Sequence, residues 1–343
     1  MPTMLHAAVM DGCFPSAVAA VGDRDQVLRI SWAGGADANT LFDVASLTKI
    51  VSTTMLALLA IEEGELTLYD RLPRFFDAPP DKADISIIDI MTHTAGFEPS
   101  FALTDKTDNP DDAADVILRY PLVSKPDGVP RYSCMGFILL GVLLERMYGS
   151  PLDTLARARV FEPLGMSRTC FNPLETLQDL PKDAPDAANI APTEIDPATG
   201  IAFRGVVHDE KARFMHGVAG NAGVFSDIGD MIRFASMLAR NGKGLLSPAT
   251  LRKATRNYTP GQDVHRGLGF HLAGPPENYM GDLFPASSFG HTGFTGTSVA
   301  VDPETGFYAI LLTNRVHPTR DNDKIQRFRR CFHNRVYAAY TGY

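Results

Sequence analysis

The stretch Leu41-Phe-Asp-Val-Ala-Ser-Leu-Thr-Lys49 leads into an apolar run that continues to residue 63 and stops at Gly64. From Ser46 onward this run is apolar on nearly every side, which predicts a buried central helix. Ser46 and Lys49 form the sole Ser-x-x-Lys of the sequence, and this spacing places both side chains on one helical face. A lysine desolvated in such a helix has a lowered pKa and can take the proton of a serine nucleophile. The alternative is an N-capping serine followed by a solvent-facing lysine.

Sequence patterns typical of β-strands occur near both ends of the chain. Apolar runs that flank turn residues predict one hairpin from 17–21 and 26–32 and another from 297–301 and 307–313. The terminal strands therefore predict one sheet built from both ends of the chain.

The middle of the sequence has helical periodicity. It predicts helices at 137–148 and 227–240, the latter with Ser226 as its N-cap, and a further helix from about Asp323 closes the chain. Five prolines between 172 and 217 predict a long irregular segment, which in a compact protein is more often functional than not.

The composition bounds the class of protein. It is 45% hydrophobic and 21% charged, as in globular proteins, and the net charge of −8 argues against a general affinity for nucleic acid. Cys13, Cys134, Cys170 and Cys331 have neither metal-site nor disulfide-framework spacing, so we expect reduced, mostly buried thiols. The N-terminus lacks a basic region, and no apolar stretch approaches the length of a membrane span. These features predict a cytoplasmic protein with no membrane partner.

Two further short motifs carry reactive groups. Tyr132-Ser-Cys134 precedes a predicted helix, and a tyrosine beside a lysine can share its proton and act as an acid or a base. His291-Thr-Gly293 precedes a predicted strand, where backbone amides can face a reacting carbonyl. Taken singly, Tyr132 is more typical of a core aromatic and His291 of a surface histidine.

Taken in order, these three motifs resemble those of the serine β-lactamase, penicillin-binding-protein and esterase superfamily, closest to its class C β-lactamase-like branch. Supporting stretches include 91–96, 220–226 and 267–270, so the resemblance spans nearly the whole chain. It implies an α/β fold of the β-lactamase/transpeptidase-like kind, with a central antiparallel sheet flanked by helices and an inserted helical domain. The α/β domain would comprise residues 1–60 and 255–343. Residues 61–254 would be mostly helical, with the loop 172–217 near the active site.

The resemblance also implies a mechanism. Ser46 attacks a carbonyl, Lys49 and Tyr132 move protons, an acyl-enzyme forms, and water releases it. The backbone N–H groups of Ser46 and Phe294 would form the oxyanion hole, and no metal or cofactor is implied. His93 would brace the site from outside the reacting centre.

The chain departs from the family pattern at two positions. Many members have lysine where this chain has His291, and a histidine is not a fixed positive charge at neutral pH. Cys134 replaces the asparagine of true β-lactamases, and a thiol is a poor substitute for an amide that binds the antibiotic. The class A element Glu-x-x-Leu-Asn is missing from the sequence. We therefore expect weak β-lactam turnover.

Two stretches bear on the substrate. Residues 207–213, with His208 and Asp209, and residues 313–320, with Arg315 and Arg320, look like cytoplasmic exo-acting N-acetylmuramoyl-L-alanine amidases of cell-wall recycling. Solvated loops are the alternative. Arg315, and after it Arg320, are the predicted ligands of a substrate carboxylate.

The leading hypothesis is thus a serine hydrolase that acts on a small peptide, muropeptide or ester, with the muramoyl amidase as the best candidate. A small-ester carboxylesterase and a D-amino-acid peptidase stay open. A slow-deacylating penicillin-binding sensor is the alternative from another class. No feature of the sequence fixes the number of subunits.

Overall fold

The computed structural model describes residues 1–178, 189–274 and 278–342. The strands, in chain order, are β1 (Ala17–Gly22), β2 (Val27–Ala33), β3 (Phe42–Asp43), β4 (Cys170–Phe171), β5 (Val224–Ser226), β6 (His271–Leu272), β7 (Phe289–Thr292), β8 (Ser298–Val301) and β9 (Tyr308–Thr313). The helices are α1 (Pro2–Met10), α2 (Thr54–Glu62), α3 (Ile87–Met91), α4 (Ala113–Arg119), α5 (Cys134–Tyr148), α6 (Leu152–Ala156), α7 (Glu162–Leu164), α8 (Pro173–Thr176), α9 (Glu210–Phe214), α10 (Ile228–Ala239), α11 (Pro248–Ala254) and α12 (Ile325–Thr341).

The larger sheet joins the two ends of the chain. Its order is β2-β1-β9-β8-β7-β6, and every neighbouring pair is antiparallel. The N-terminal hairpin meets the C-terminal one where β1 pairs with β9, with Ala17 opposite Thr313. The prediction of a central antiparallel sheet flanked by helices is confirmed.

Helices cover both faces of this sheet. Along β1, Val18 and Ala20 belong to the core shared with α2, α5 and α10. Ala17 and Ala19 point to the opposite face and join a second core with α1 and α12. Successive side chains of a strand point to opposite faces, so a strand covered on both sides is apolar at every position instead of alternating.

The segment that starts at Ser46 is not one regular helix. A 3₁₀ turn at Ala45–Leu47 is followed by a π-helical turn at Lys49–Thr53, and only then by α2. The stretch Ala45–Glu62 is long and apolar enough to cross a membrane, so the expectation that no segment reaches that length is wrong. However, 78% of it is buried within the protein. Its apolar surface is therefore used in the core.

Capping residues explain where two other helices differ from expectation. Helix α5 begins at Cys134, three residues early, because the hydroxyl of Ser133 accepts a hydrogen bond from the Met135 amide at 3.1 Å. The N-cap of α10 is Asp227, whose carboxylate accepts from the Asp230 amide at 2.9 Å. Ser226 was the wrong prediction because it is the last residue of β5.

The proline-rich segment 172–217 is more ordered than expected in its described part. It contains α8 and α9, and Ile190 forms a bridge with Leu41. Residues 179–188 of the predicted loop lie outside the described residues. The four cysteines are free, with Cys13 and Cys170 buried and the other two half-buried.

Candidate active site

A small sheet holds the chain just before Ser46. Strand β3 pairs with β5, and the buried carboxylate of Asp43 accepts hydrogen bonds from the amides of Ala45 at 2.8 Å and His208 at 2.7 Å. Ala45 has a φ of 49°, a left-handed conformation that is costly for a residue with a Cβ. The carboxylate thus fixes a strained turn, and that turn sets the position of Ser46.

Lys49 is fully buried beside the serine. Its Nζ lies 3.1 Å from the Oγ of Ser46, donates to the carbonyl of Asn221 at 3.0 Å and lies 3.7 Å from the Sγ of Cys134. The alternative of a solvent-facing lysine is therefore wrong. The backbone after Ser46 turns so that the side chain points into the protein.

Tyr132 reaches the same oxygen from another element. Its Oη donates to the Oγ of Ser46 at 2.9 Å. His93 packs on the tyrosine ring at 4.6 Å between centroids, and its Nδ1 accepts the amide of Ser133 at 3.1 Å. His93 thus positions Tyr132 and has no hydrogen bond to Ser46 among the described residues, as expected from its place in the sequence.

The protonation of these groups differs from the expectation. Burial raises the pKa of the Tyr132 phenol, against the opposing charge of Lys49. Burial by itself lowers the pKa of Lys49, but the acidic neighbours Cys134, Tyr132 and Asp209 outweigh it, and the pKa is raised. The prediction of a lowered lysine pKa is wrong because the sequence did not reveal these neighbours. Both groups hold protons at rest, so the pair must release one before it accepts the proton of Ser46.

The segment His291 to Phe294 lies opposite the serine. The motif precedes strand β8 (Ser298–Val301), as expected, and its first two residues, His291 and Thr292, also end β7, a strand that the sequence did not predict. The described residues give the Phe294 amide and the Ser46 amide no backbone acceptor, which leaves both available to an oxyanion. A Cβ on Gly293 would lie 2.5 Å from the carbonyl of Val44, so glycine permits the close approach of the two segments.

His291 does not supply a positive charge to the site. It is 1% exposed, and its pKa lies well below the ordinary value because of burial and the charges of Lys49 and Arg266. Its Nδ1 contacts the carbonyl of Thr292 at 2.7 Å. At neutral pH the ring is therefore uncharged, in contrast to the lysine found in many relatives.

A cavity of about 350 Å³ opens at Ser46 and adjoins a wider one of about 740 Å³. The smaller cavity is lined by arginine, histidine, aromatic and small residues, namely Ser46, Tyr132, Arg266, His271, His291, Thr292, Gly293, Phe294, Arg315, Gln326 and Arg329. None of these lining residues is an aspartate or a glutamate. The site therefore suits a substrate that carries negative charge.

The two predicted carboxylate ligands have other partners. Arg315 lines the cavity, but its Nε donates to the carbonyl of Phe294 at 2.8 Å and its Nη1 to those of Arg320 and Asn322 at 2.7 Å. Arg320 pairs with Glu194 at 2.5 Å and also with Glu210, and it does not line the cavity. The prediction for Arg320 is wrong, because its charge is already compensated within the protein.

The predicted residues His208 and Asp209 lie outside the cavity and contact the segments that form it. The Nε2 of His208 contacts Glu194 at 3.1 Å, and its ring stacks on Phe294 at 5.6 Å. Asp209 caps α9 and accepts from the Asn221 side chain at 3.2 Å. Neither residue lines the cavity at Ser46. Their prediction as substrate-binding residues is wrong, because both side chains are used to hold the segments around Ser46 and Lys49.

Sequence reasoning missed Arg266, His271, Gln326 and Arg329. Arg266 and His271 flank the stretch 267–270, which supports the family resemblance but carries no chemical motif. Gln326 and Arg329 lie in α12, far along the chain. No local pattern marks these residues, since only the sheet and the packing of α12 bring them to the cavity. No cluster of metal-ligating side chains occurs among the described residues.

Comparisons with known proteins agree with this geometry. A sequence model of the beta-lactamase family matches residues 5–333. A Salmonella enteritidis PT4 protein named "Putative D-alanyl-D-alanine carboxypeptidase" is 32% identical over 323 residues, with 84% of this chain and 73% of that protein covered. The octameric penicillin-binding protein homologue from Pyrococcus abyssi has a similar fold, with a TM-score of 0.76 at 18% identity over 98% of this chain and 75% of that one. Simvastatin synthase from Aspergillus terreus also has a similar fold, with a TM-score of 0.73 at 19% identity; the match covers 98% of this chain and 97% of that one.

Proposed function

The chain belongs to the beta-lactamase family, and from this premise we propose that it hydrolyses the last amide bond of a short peptide that ends in a free carboxylate, as a D-alanyl-D-alanine carboxypeptidase does. That it is a serine hydrolase follows from the family and its relatives. The observation that carries the proposal is the contact of both Lys49 and Tyr132 with the Oγ of Ser46, at the mouth of an arginine-lined cavity. The name of the Salmonella relatives supports the same substrate class.

The geometry suggests a route for each proton. The pair of Lys49 and Tyr132 first releases one of its two protons to solvent. The Oγ of Ser46 then attacks the amide carbon, its proton passes to the deprotonated member of the pair, and the oxyanion accepts hydrogen bonds from the amides of Ser46 and Phe294. Tyr132 then gives a proton to the leaving nitrogen as the carbon–nitrogen bond breaks. Water attacks the resulting ester, the acid is released, and Ser46 regains its proton.

An exo-acting N-acetylmuramoyl-L-alanine amidase is the second candidate. The wider cavity of about 740 Å³ continues the site through His271, Thr292, Gln326 and Arg329, and it offers room for a sugar or a longer peptide. In this case the scissile bond joins a lactyl group to alanine, and the carboxylates lie further along the peptide.

The test compares three substrates under one condition. These are an N-acyl-D-alanyl-D-alanine peptide, an N-acetylmuramoyl dipeptide and nitrophenyl acetate, with products separated by chromatography and identified by mass. Ser46→Ala is the inactive variant. Ser52→Ala is its matched control, because the Ser52 hydroxyl is buried on the same segment without a partner among the described residues.

We expect free D-alanine to be released by the wild type and by Ser52→Ala, and not by Ser46→Ala. Cleavage of the muramoyl amide with the D-alanyl peptide left intact would replace the proposal by the amidase. Turnover of the nitrophenyl ester alone would indicate an esterase. If none of the three substrates is turned over, the protein is incubated with penicillin and its mass is measured; a stable acyl-enzyme would then indicate a sensor.

A further inference from the structure

Arg266 is a buried cation that has no hydrogen-bond acceptor for its side chain in the part of the chain that the structure describes. The residue is 5% exposed, and its Nε and Nη1 have no hydrogen-bond partner among the described residues. Its backbone is fixed, since the amide donates to the Thr259 hydroxyl at 3.0 Å and the carbonyl accepts from Tyr258 at 2.9 Å. A buried charge that lacks partners is costly. Such a group indicates a ligand that supplies the missing acceptors.

The other two arginines at the cavity differ from Arg266 in this respect. Arg315 donates to the carbonyl of Phe294, and Arg329 donates to those of Gly296 at 3.3 Å and Thr297 at 3.2 Å. These guanidinium groups use their donors to hold the loop that follows β7. Within the described ranges the side chain of Arg266 makes no such contact, so its donors are available to a molecule in the cavity.

Two histidine rings lie beside Arg266 and carry no charge themselves. The rings of His271 and His291 lie 4.4 Å apart, and the Nε2 of each lacks a partner among the described residues. Burial and the charge of Arg266 hold the pKa of His271 well below its ordinary value, so the ring is neutral. Burial lowers the pKa of Arg266 to about 10, and it stays a cation at neutral pH.

The position of Arg266 relative to Ser46 identifies which part of a substrate it meets. Its guanidinium carbon lies 5.5 Å from the centroid of the Tyr132 ring, and both residues line the cavity at Ser46. The Oη of Tyr132 contacts Ser46 and, in the proposed reaction, protonates the leaving atom. Arg266 therefore lies on the side of the leaving group.

We propose that Arg266 binds a carboxylate on the leaving group of the substrate, and so selects leaving groups that carry this charge close to the scissile bond. A guanidinium and a carboxylate form two parallel hydrogen bonds. In an amino-acid leaving group a single carbon separates the nitrogen from the carboxylate. This assignment rests on the proposed function and names the residue that replaces the charge which His291 does not provide.

The test uses two thioesters that differ only in charge. One is an N-acyl-D-alanyl thioester of thioglycolate with its carboxylate free, and the other is the methyl ester of the same compound. Both release a thiol that a colorimetric reagent detects. The variants are Arg266→Met and Arg266→Lys, with Arg252→Met as the matched control because Arg252 is an exposed arginine of α11.

We expect the wild type to prefer the charged thioester. Arg266→Met should lower kcat/KM for that substrate roughly ten- to hundredfold, the usual effect of losing hydrogen bonds to a charged group, and should change the methyl ester by less than about twofold. Arg266→Lys should restore part of the preference, and Arg252→Met should leave both substrates unchanged. Acetate should compete with the charged thioester in the wild type and not in Arg266→Met.

Folding of the variants is checked by thermal unfolding. Because Arg266→Met removes an unpaired buried charge, its midpoint should equal or exceed that of the wild type. If it does not fold, Arg266→Gln provides the same comparison. Equal losses on both thioesters, or a charge preference that persists without Arg266, would overturn the assignment. The two proposals can also be separated. If the charge preference depends on Arg266 but the enzyme does not cleave the D-alanyl-D-alanine peptide, the proposed function is refuted and the assignment of Arg266 as a carboxylate ligand stands.

Discussion

Lys49 and Tyr132 should behave as one catalytic unit. Each contacts the Oγ of Ser46, at 3.1 Å and 2.9 Å respectively, and the Nζ of Lys49 lies 5.0 Å from the centre of the Tyr132 ring. Tyr132→Phe removes one hydroxyl, and Lys49→Met replaces the buried ammonium with an apolar chain of similar length. Either change leaves Ser46 without a complete path for its proton.

The size of the effect follows from this shared proton. General acid–base catalysis contributes about 10²- to 10⁴-fold, equivalent to about 3–5 kcal/mol of transition-state stabilisation. Independent groups would multiply their losses in the double variant to roughly 10⁴- to 10⁸-fold. For a unit, the double variant should lose little more than either single one.

The assay is steady-state hydrolysis of a neutral nitrophenyl ester, because such a substrate reports the chemistry without contributions from charge recognition. Tyr279→Phe is the matched control. Tyr279 is half-buried like Tyr132 and lines the wider cavity, but its hydroxyl donates to the carbonyl of Val299 at 2.6 Å and not to Ser46. We expect it to lower the unfolding midpoint with little effect on kcat.

Two results would refute this reasoning. The first is a double variant whose loss equals the product of the single losses. The second is a loss in Tyr279→Phe as large as that in Tyr132→Phe, which would show that any hydroxyl lost near the cavity has the same consequence. Thermal unfolding of each variant separates a lost proton path from a lost fold.

Three further predictions concern labelling, antibiotics and pH. A fluorophosphonate probe should label the peptide that contains Ser46, and labelling that persists in Ser46→Ala would contradict its role as nucleophile. A cephalosporin should be turned over with a kcat/KM well below ~10⁶ M⁻¹s⁻¹, an ordinary enzymatic value, because Cys134 lacks the amide of asparagine; a value that high would show the reasoning to be wrong. The hydrogen bond from Arg320 lowers the pKa of Glu194 from 4.5 to about 2, so the pair stabilises the fold above about pH 4.5 and this stabilisation is lost as the pH falls toward 2. Arg320→Ala should therefore lower the unfolding midpoint at pH 7 and have a smaller effect at about pH 3; an equal effect at both would exclude this pair as the cause.

The sequence was sufficient for the elements that depend on local pattern. Runs of apolar residues next to turn residues predicted four strands from the two ends of the chain, each to within about one residue. The Ser-x-x-Lys spacing and the apolar run after it predicted that Ser46 and Lys49 face each other. The strand predictions and the Ser46–Lys49 contact both depend on residues that are close in the sequence, so their geometry is the same in the folded protein as in the local pattern.

The tertiary structure alone decided the charges of the site and the groups that are free in it. The pKa of Lys49 is raised because Tyr132, Cys134 and Asp209 come from distant parts of the chain. Sequence position favoured Arg315 and then Arg320 as carboxylate ligands, yet Arg320 is paired with Glu194 and Arg315 holds a loop, and Arg266 is left with unsatisfied donors among the described residues. Whether a cation is available depends on acceptors that lie tens or hundreds of residues away, and only the packed fold determines which of them come within hydrogen-bonding distance.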